Sequence, residues 1–202
     1  MGARGKSLRR KASPEKQAKT RVLVYFEGEV TERIYMNGLK RLHRRSDFTI
    51  ELGGESGEPL RIVKRAKTHA ENAAKADRFD HVWCIFDVEA PKPHGSLEAA
   101  MSLAVKSGIS CAIPNPCFEL WLVLHIQDVP AYQTTDTMCA LAQDVVPGCN
   151  GKSFSFEDIR PSIGAAVERA RKASESIAPA AIAKHNPATS MWKFLELLGE
   201  AT

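Results

Sequence analysis

The sequence contains no apolar run approaching the ~18 residues that a bilayer-crossing helix needs. The longest, Cys117 to Ile126, is short and is interrupted by Glu119, so no membrane role is expected. Paired cysteines are missing too: Cys84, Cys111, Cys117, Cys139 and Cys149 are odd in number and form no CxxC. They predict neither a disulfide framework nor a zinc site, and a reducing cytoplasm is the simplest setting. No GxxxxGKS/T phosphate loop is present, which excludes a P-loop ATPase, and nothing resembles a GxSxG elbow or an HExxH helix. Nor is the body of the chain basic. Residues 1–20 hold seven Lys or Arg against Glu15 alone, a balance of 7 − 1 = +6, so a net charge of +4 leaves 4 − 6 = −2 for the rest. The sequence pI of 8.8 therefore describes a tail. With no apolar stretch behind it, that tail is not a secretory signal. We read residues 1–20 as a solvated, disordered appendage that adds at most non-specific phosphate affinity.

What remains is ordinary globular material: 202 residues, 44% hydrophobic and 26% charged, enough to bury a substantial core. From residue 21 the pattern alternates. Arg21 to Phe26 is a continuous β-branched and aromatic run, suited to a strand covered on both faces. Glu27-Gly28-Glu29 breaks it. Thr31 is placed to cap a helix with Tyr35, Leu39 and Leu42 on one face. Phe48 to Leu52 reads as a second strand, and Pro59 opens a helix to about Ala76 with Ile62, Ala66 and Ala73 inward. His81 to Phe86 is a third strand, a helix is expected from about Ser96 to Lys106, and Ile109 to Ile113 is a fourth strand. Alternation with short connections predicts a parallel α/β sheet of about four strands with helices on both faces (residues 21–116). Residues 117–202 read as a helical extension packed on it, with helices at Cys117–Ile126 and near 134–146, 156–175 and 187–198.

Ligands of open parallel sheets collect beyond the carboxyl ends of the strands. Two apolar strands here end in acids, the first in Glu27 and the third in Asp87 and Glu89. Alternate positions on a strand share a face, so Asp87 and Glu89 can converge. Carboxylates about 5 Å apart at an effective dielectric near 20 repel by roughly 3 kcal/mol per pair, which favours binding protons or a cation. Oxygen-only donors suit Mg²⁺ or Mn²⁺. The plainer alternative is that these are solvated loop acids. Glu119, between Phe118 and Leu120-Trp121-Leu122 on a helix with almost no polar face, needs a partner: metal-bound water, a base or a backbone donor, or else a structural ion pair. His125 fits a satisfied core histidine, and Lys152 and Lys184-His185 fit surface residues able to reach a phosphate. Asp87-Val-Glu89 also fits a phosphatase-type DxD, although that chemistry needs Asp at both ends.

Three blocks carry a family resemblance. Val24-Tyr25-Phe26-Glu27-Gly28-Glu29 with Thr31-Glu32 and Tyr35, Trp83 to Glu89, and Ser110 to His125 (SCAIPNPCFELWLVLH) resemble the "cEGxxTExxYF", "vfDxD" and "SNPcFElWllLH" motifs of RloB-like proteins. Lys152 and Asn186-Pro187-Ala188-Thr189 match weaker elements, so the likeness spans about residues 20–198. It implies a Toprim-like, Rossmann-like sheet, a magnesium-dependent nuclease acting on nucleic acid in bacterial anti-phage defence (abortive infection and restriction loci), and a neighbouring AAA- or ABC-type ATPase as partner. Self-association into a homodimer is left open. Carried across, Glu27 is the acid of the first strand, serving as general acid/base or metal ligand, and Asp87 and Glu89 are the metal pair. Glu119 supports them. The departure is Asp-Val-Glu in place of DxD, which keeps a carboxylate but lengthens it. Lys40, Arg41, Arg44 and Arg45, or Arg61, Lys64 and Arg65, together with Lys152, are the basic side chains expected to guide a nucleic-acid backbone. The competing reading is a non-catalytic nucleotide- or nucleic-acid-binding sensor or control subunit of an ATPase complex.

Overall fold

A computed structural model describes residues 19–54 and 56–200; the basic tail lies outside the described residues except for Lys19 and Thr20. Four parallel strands, β1 (Thr20–Phe26), β2 (Phe48–Leu52), β3 (His81–Ile85) and β4 (Ser110–Ala112), form a sheet in the order β2-β1-β3-β4. The register pairs Val22 with Ile50 on one side and with His81 on the other. Period-two alternation divides β1 between two cores. Val22, Val24 and Phe26 face α1 (Thr31–Leu42), whereas Leu23 and Tyr25 face α2 (Pro59–Asn72) and α3 (Leu97–Lys106). This explains why the strand is apolar without a break.

The second half completes the α1 face. Buried side chains of α4 (Glu119–Leu124), α5 (Thr135–Val145), α6 (Phe156–Ile159), α7 (Ile163–Ser174) and α8 (Met191–Leu197) share one core with β1 and α1. The extension and the sheet are therefore packed as a unit. Gly38 of α1 is a packing requirement, because a Cβ there would lie 2.2 Å from the Phe156 ring. A small antiparallel pair, β5 (Pro114–Asn115) with β6 (Ala188–Thr189), was not expected from sequence. It ties the C-terminal segment to the end of β4, helped by Ile113 N donating to Ser190 Oγ at 2.9 Å. Asn186, in the weak C-terminal motif, exchanges two hydrogen bonds with the Gln133 backbone.

Several sequence expectations shift. Thr31 lies inside α1 rather than capping it, with Val30 at the cap position. The α2 helix stops at Asn72, so Ala73 is outside it. The expected 156–175 helix is broken by a 3₁₀ turn at Arg160–Ser162, where Pro161 cannot donate to the helical ladder. Among the described residues no helix is long and apolar enough to cross a membrane.

Candidate active site

The strand order places a topological switch point between β1 and β3: the chain leaves β1 for β2 on one side and returns to β3 on the other, with covering helices on opposite faces. The cleft beyond the carboxyl ends at such a point is where α/β sheets bind ligands, and Glu27 and Asp87 stand there. Glu27 N continues the ladder to Ile85 O at 3.0 Å, and Glu27 Oε2 accepts from Asp87 N at 3.1 Å. The two motifs are thereby locked together across the central strands.

Two further acids enter from helices. Glu32, 5% exposed, lies on the buried face of α1 with Tyr35, Met36 and Leu39, and its Oε1 accepts from Gly28 N at 2.9 Å. A Cβ on Gly28 would lie 1.9 Å from Glu32 Oε2, so the EG pair leaves room for a carboxylate. Glu119, 9% exposed, begins α4 and accepts from Thr31 Oγ1 at 3.2 Å; Thr31 Oγ1 also lies 3.1 Å from the Lys152 carbonyl. Thr31 thus joins α1, α4 and the 152 loop instead of capping its own helix.

Glu89 is held differently from the expected alternation. β3 ends at Ile85, and Glu89 has a left-handed backbone (φ 69°) with its N–H on Pro116 O. Its Oε2 accepts from Thr135 Oγ1 at 2.7 Å. Glu89 therefore reaches the cluster from a loop braced by α5 and not as the second tooth of a strand.

The electrostatics follow from this crowding. Burial drives the Asp87 carboxyl well above its ordinary value, reinforced by the charges of Glu32, Glu27, Glu119 and Glu89, in decreasing order. Burial likewise lifts Glu32 from 4.5 to about 7, with Glu119 and Glu27 adding to it. Glu27 is raised by burial and by Glu89, against the lowering effects of the Asp87 N–H and of His94. His94 Nε2 lies 2.8 Å from Glu27 Oε1. Asp87 Oδ1 is buried and has no hydrogen-bond partner among the described residues. A buried carboxyl oxygen left bare near four other acids calls for either a proton or a hard cation. Glu27, Asp87 and Glu89 offer only oxygen, the donor type that Mg²⁺ and Mn²⁺ take. Among the described residues, however, no three of the acids bring ligand atoms within 4.8 Å of one another, so a shared cation would have to draw them closer.

A family model described as RloB-like protein matches residues 22–198. The chain belongs to the RloB-like family. No curated protein matches it. The matched region of this RloB-like chain contains every acid of the cluster.

The basic side chains divide into two groups. Arg61, Lys64 and Arg65, in the first half of α2, line a cavity of ≈ 700 Å³ with Tyr25, Gly54 and Thr68, and Arg61 with Arg33 borders a second cavity of ≈ 560 Å³ beside Glu29. Both open at the carboxyl edge of β1 and β2, and neither is lined by an acid of the cluster. Lys40, Arg41 and Arg44 instead line a cavity of ≈ 520 Å³ with Lys19 and Phe48, at the starting end of β2. Lys40 is nine helical steps from Thr31, about 14 Å along α1. Arg45 shares the one-turn helix after α1 with Arg44. The α2 group thus lies at the carboxyl edge of the sheet, the same edge as the acids, and the α1 group at the opposite end. Lys152 is exposed, and its backbone is anchored at the cluster through Thr31.

His125 is buried, with Nδ1 2.8 Å from Trp121 O and Nε2 3.3 Å from Tyr35 Oη. Burial pushes its pKa down to about 4, which makes it a neutral core group. Sequence reading assigned no role to Glu32, His94 or Thr135. Glu32 did carry a signal, a carboxylate on the apolar stripe of an amphipathic helix. Nothing distinguishes His94 in its proline-rich loop.

Proposed function

We propose that this RloB-like protein is a Mg²⁺-dependent, Toprim-like nuclease that cuts a phosphodiester of DNA or RNA in anti-phage defence, beside a partner ATPase. The observation supporting this most directly is the bare, buried Asp87 Oδ1 among carboxylates at the sheet's switch point. Asp87 and Glu27, with Glu89 from its loop, would hold Mg²⁺, and Glu32 and Glu119 add negative charge behind them. Bound there, the metal would polarise the phosphodiester and offset the charge that builds up on its oxygens.

The chain's own groups then have separable tasks. Glu27 Oε2 is occupied by the Asp87 N–H, leaving Oε1, which faces His94, to take or return a proton. His94 can share that proton, because its Nε2 is within hydrogen-bonding reach of Oε1. Thr135 fixes the Glu89 carboxylate, and Thr31 fixes Glu119. Arg61, Lys64 and Arg65 would receive the flanking backbone phosphates.

Asp87→Asn is expected to abolish Mg²⁺-dependent cleavage of DNA and RNA, and Glu27→Gln to reduce it by about 10²–10⁴-fold. Undiminished cleavage by Asp87→Asn would refute the assignment. The tethering of Glu89 to Thr135 also supports a second reading, a sensor that binds metal and nucleic acid without turnover. That reading predicts Mg²⁺ binding by the parent protein, co-purification with an ATPase, and no cleavage of any nucleic acid.

A further inference from the structure

Behind the carboxylate cluster lies a second group of donors with different chemistry. Cys117 lies two residues before Glu119, the first residue of α4, and Cys139 projects from α5. One ligand atom of each, two sulfurs and a carboxylate oxygen, lie within 4.8 Å of one another. We infer that Cys117, Cys139 and Glu119 form a binding site for a thiophilic divalent cation of the Zn²⁺ class, distinct from the all-oxygen site and clamping α4 to α5.

The geometry needs little adjustment. Zn–S bonds of about 2.3 Å in a tetrahedron place two sulfurs roughly 3.8 Å apart. Donors now within 4.8 Å would therefore close by no more than about 1 Å. The segment before α4 and the helix α5 supply one sulfur each, so a small approach of one helix suffices. Cys117 is buried and Cys139 half-buried, giving the cation an inner wall and a solvent-facing entrance. Three protein ligands leave a fourth position for water, the pattern of open zinc sites.

A cation seated between the two sulfurs would itself hold both as thiolates, because a coordinating thiol gives up its proton to the metal's charge. Glu119 is oriented by the Thr31 hydroxyl at 3.2 Å, the outer support that carboxylate ligands commonly have. Two thiolates select against Mg²⁺, which prefers oxygen, and in favour of Zn²⁺, Co²⁺ or Fe²⁺. Cys117 and Cys139 are 22 positions apart with no CxxC between them, so no zinc pattern is visible in the sequence.

The test uses the full reduced chain and Co²⁺ as probe. One equivalent should give the near-ultraviolet thiolate-to-cobalt charge-transfer band, and Zn²⁺ should displace it. Zn²⁺ should also raise the unfolding temperature by several degrees, and a chelator should reverse the rise. Cys117→Ser and Cys139→Ser should each lose the band and the shift, whereas Cys111→Ser, packed on the other side of the sheet, should keep both. Asp87→Asn should keep them too, which separates this site from the magnesium site. Absence of the band in the folded parent protein, or its persistence in the Cys117→Ser/Cys139→Ser double variant, would overturn the assignment. So would a Cys117–Cys139 disulfide in the reduced preparation.

Discussion

Glu32→Gln tests the electrostatic account of the carboxylate cluster without relying on activity. The folded protein holds the Glu32 carboxyl near pH 7, against 4.5 ordinarily. A displacement of that size corresponds to about 3 kcal/mol of differential interaction between the two protonation states. The sign follows from proton linkage. Between pH 4.5 and about 7 the folded chain keeps a proton that the unfolded chain has released, so stability falls as pH rises through this window. Above it the full cost is present. Gln keeps a carbonyl oxygen for the Gly28 N–H and cannot ionise. Without divalent metal at pH 8, Glu32→Gln should therefore be more stable than the parent by up to about 3 kcal/mol, and at pH 4.5 the two should coincide. For a chain of this size that is roughly 6–12 °C in unfolding temperature. Differential scanning fluorimetry in EDTA across pH 4.5–8 measures it directly. Added Mg²⁺ should narrow the gap, because a cation bound only by the folded state stabilises the ionised cluster. A variant less stable than the parent at pH 8, or one with the same gain at both ends of the range, would refute the reasoning.

Other consequences are simpler to test. His94→Ala removes the group facing Glu27 Oε1 and should lower Mg²⁺-dependent turnover by about 10²-fold, while the Mg²⁺-induced thermal shift stays near that of the parent. Neutralising Arg61, Lys64 and Arg65 together should weaken nucleic-acid binding and reduce the slope of log K against log salt by up to about 3. The same change at Lys40, Arg41 and Arg44, at the far end of α1, should alter both much less. Gly38→Ala would ordinarily gain about 1 kcal/mol of helix propensity, but its Cβ would sit 2.2 Å from the Phe156 ring. We expect overpacking to win, with a net loss of about 1–3 kcal/mol in chemical denaturation.

The sheet was legible because its signals are local. An unbroken apolar run such as Arg21–Phe26 can be satisfied only by burial on both faces, and the turn residues between runs mark each crossover. The strand-end acids were legible for the same reason, since topology alone sends Glu27 and Asp87 to one edge. What sequence periodicity could not supply were contacts made across the chain. Thr31 looked like a cap because its neighbours are helical, yet its hydroxyl is claimed by Glu119, 88 positions away. Glu89 looked like a strand partner of Asp87, yet the backbone turns left-handed there and Thr135 takes its carboxylate. The two basic helix faces looked equivalent, and only the direction in which α1 and α2 run from the sheet edge separates them. Glu32 lies between these cases. Its position on the buried stripe of α1 was visible, but a charged residue on an apolar face has two opposite explanations, a mistake in the stripe or a group held there for its chemistry. The Gly28 backbone decides between them: a residue without Cβ, leaving the space that the Glu32 side chain fills and donating its N–H to it, is a feature built around that side chain. The sequence pair Glu27-Gly28 and the acid at position 32 are therefore one device, and a substitution at Gly28 should disturb the cluster as severely as one at the carboxylates themselves.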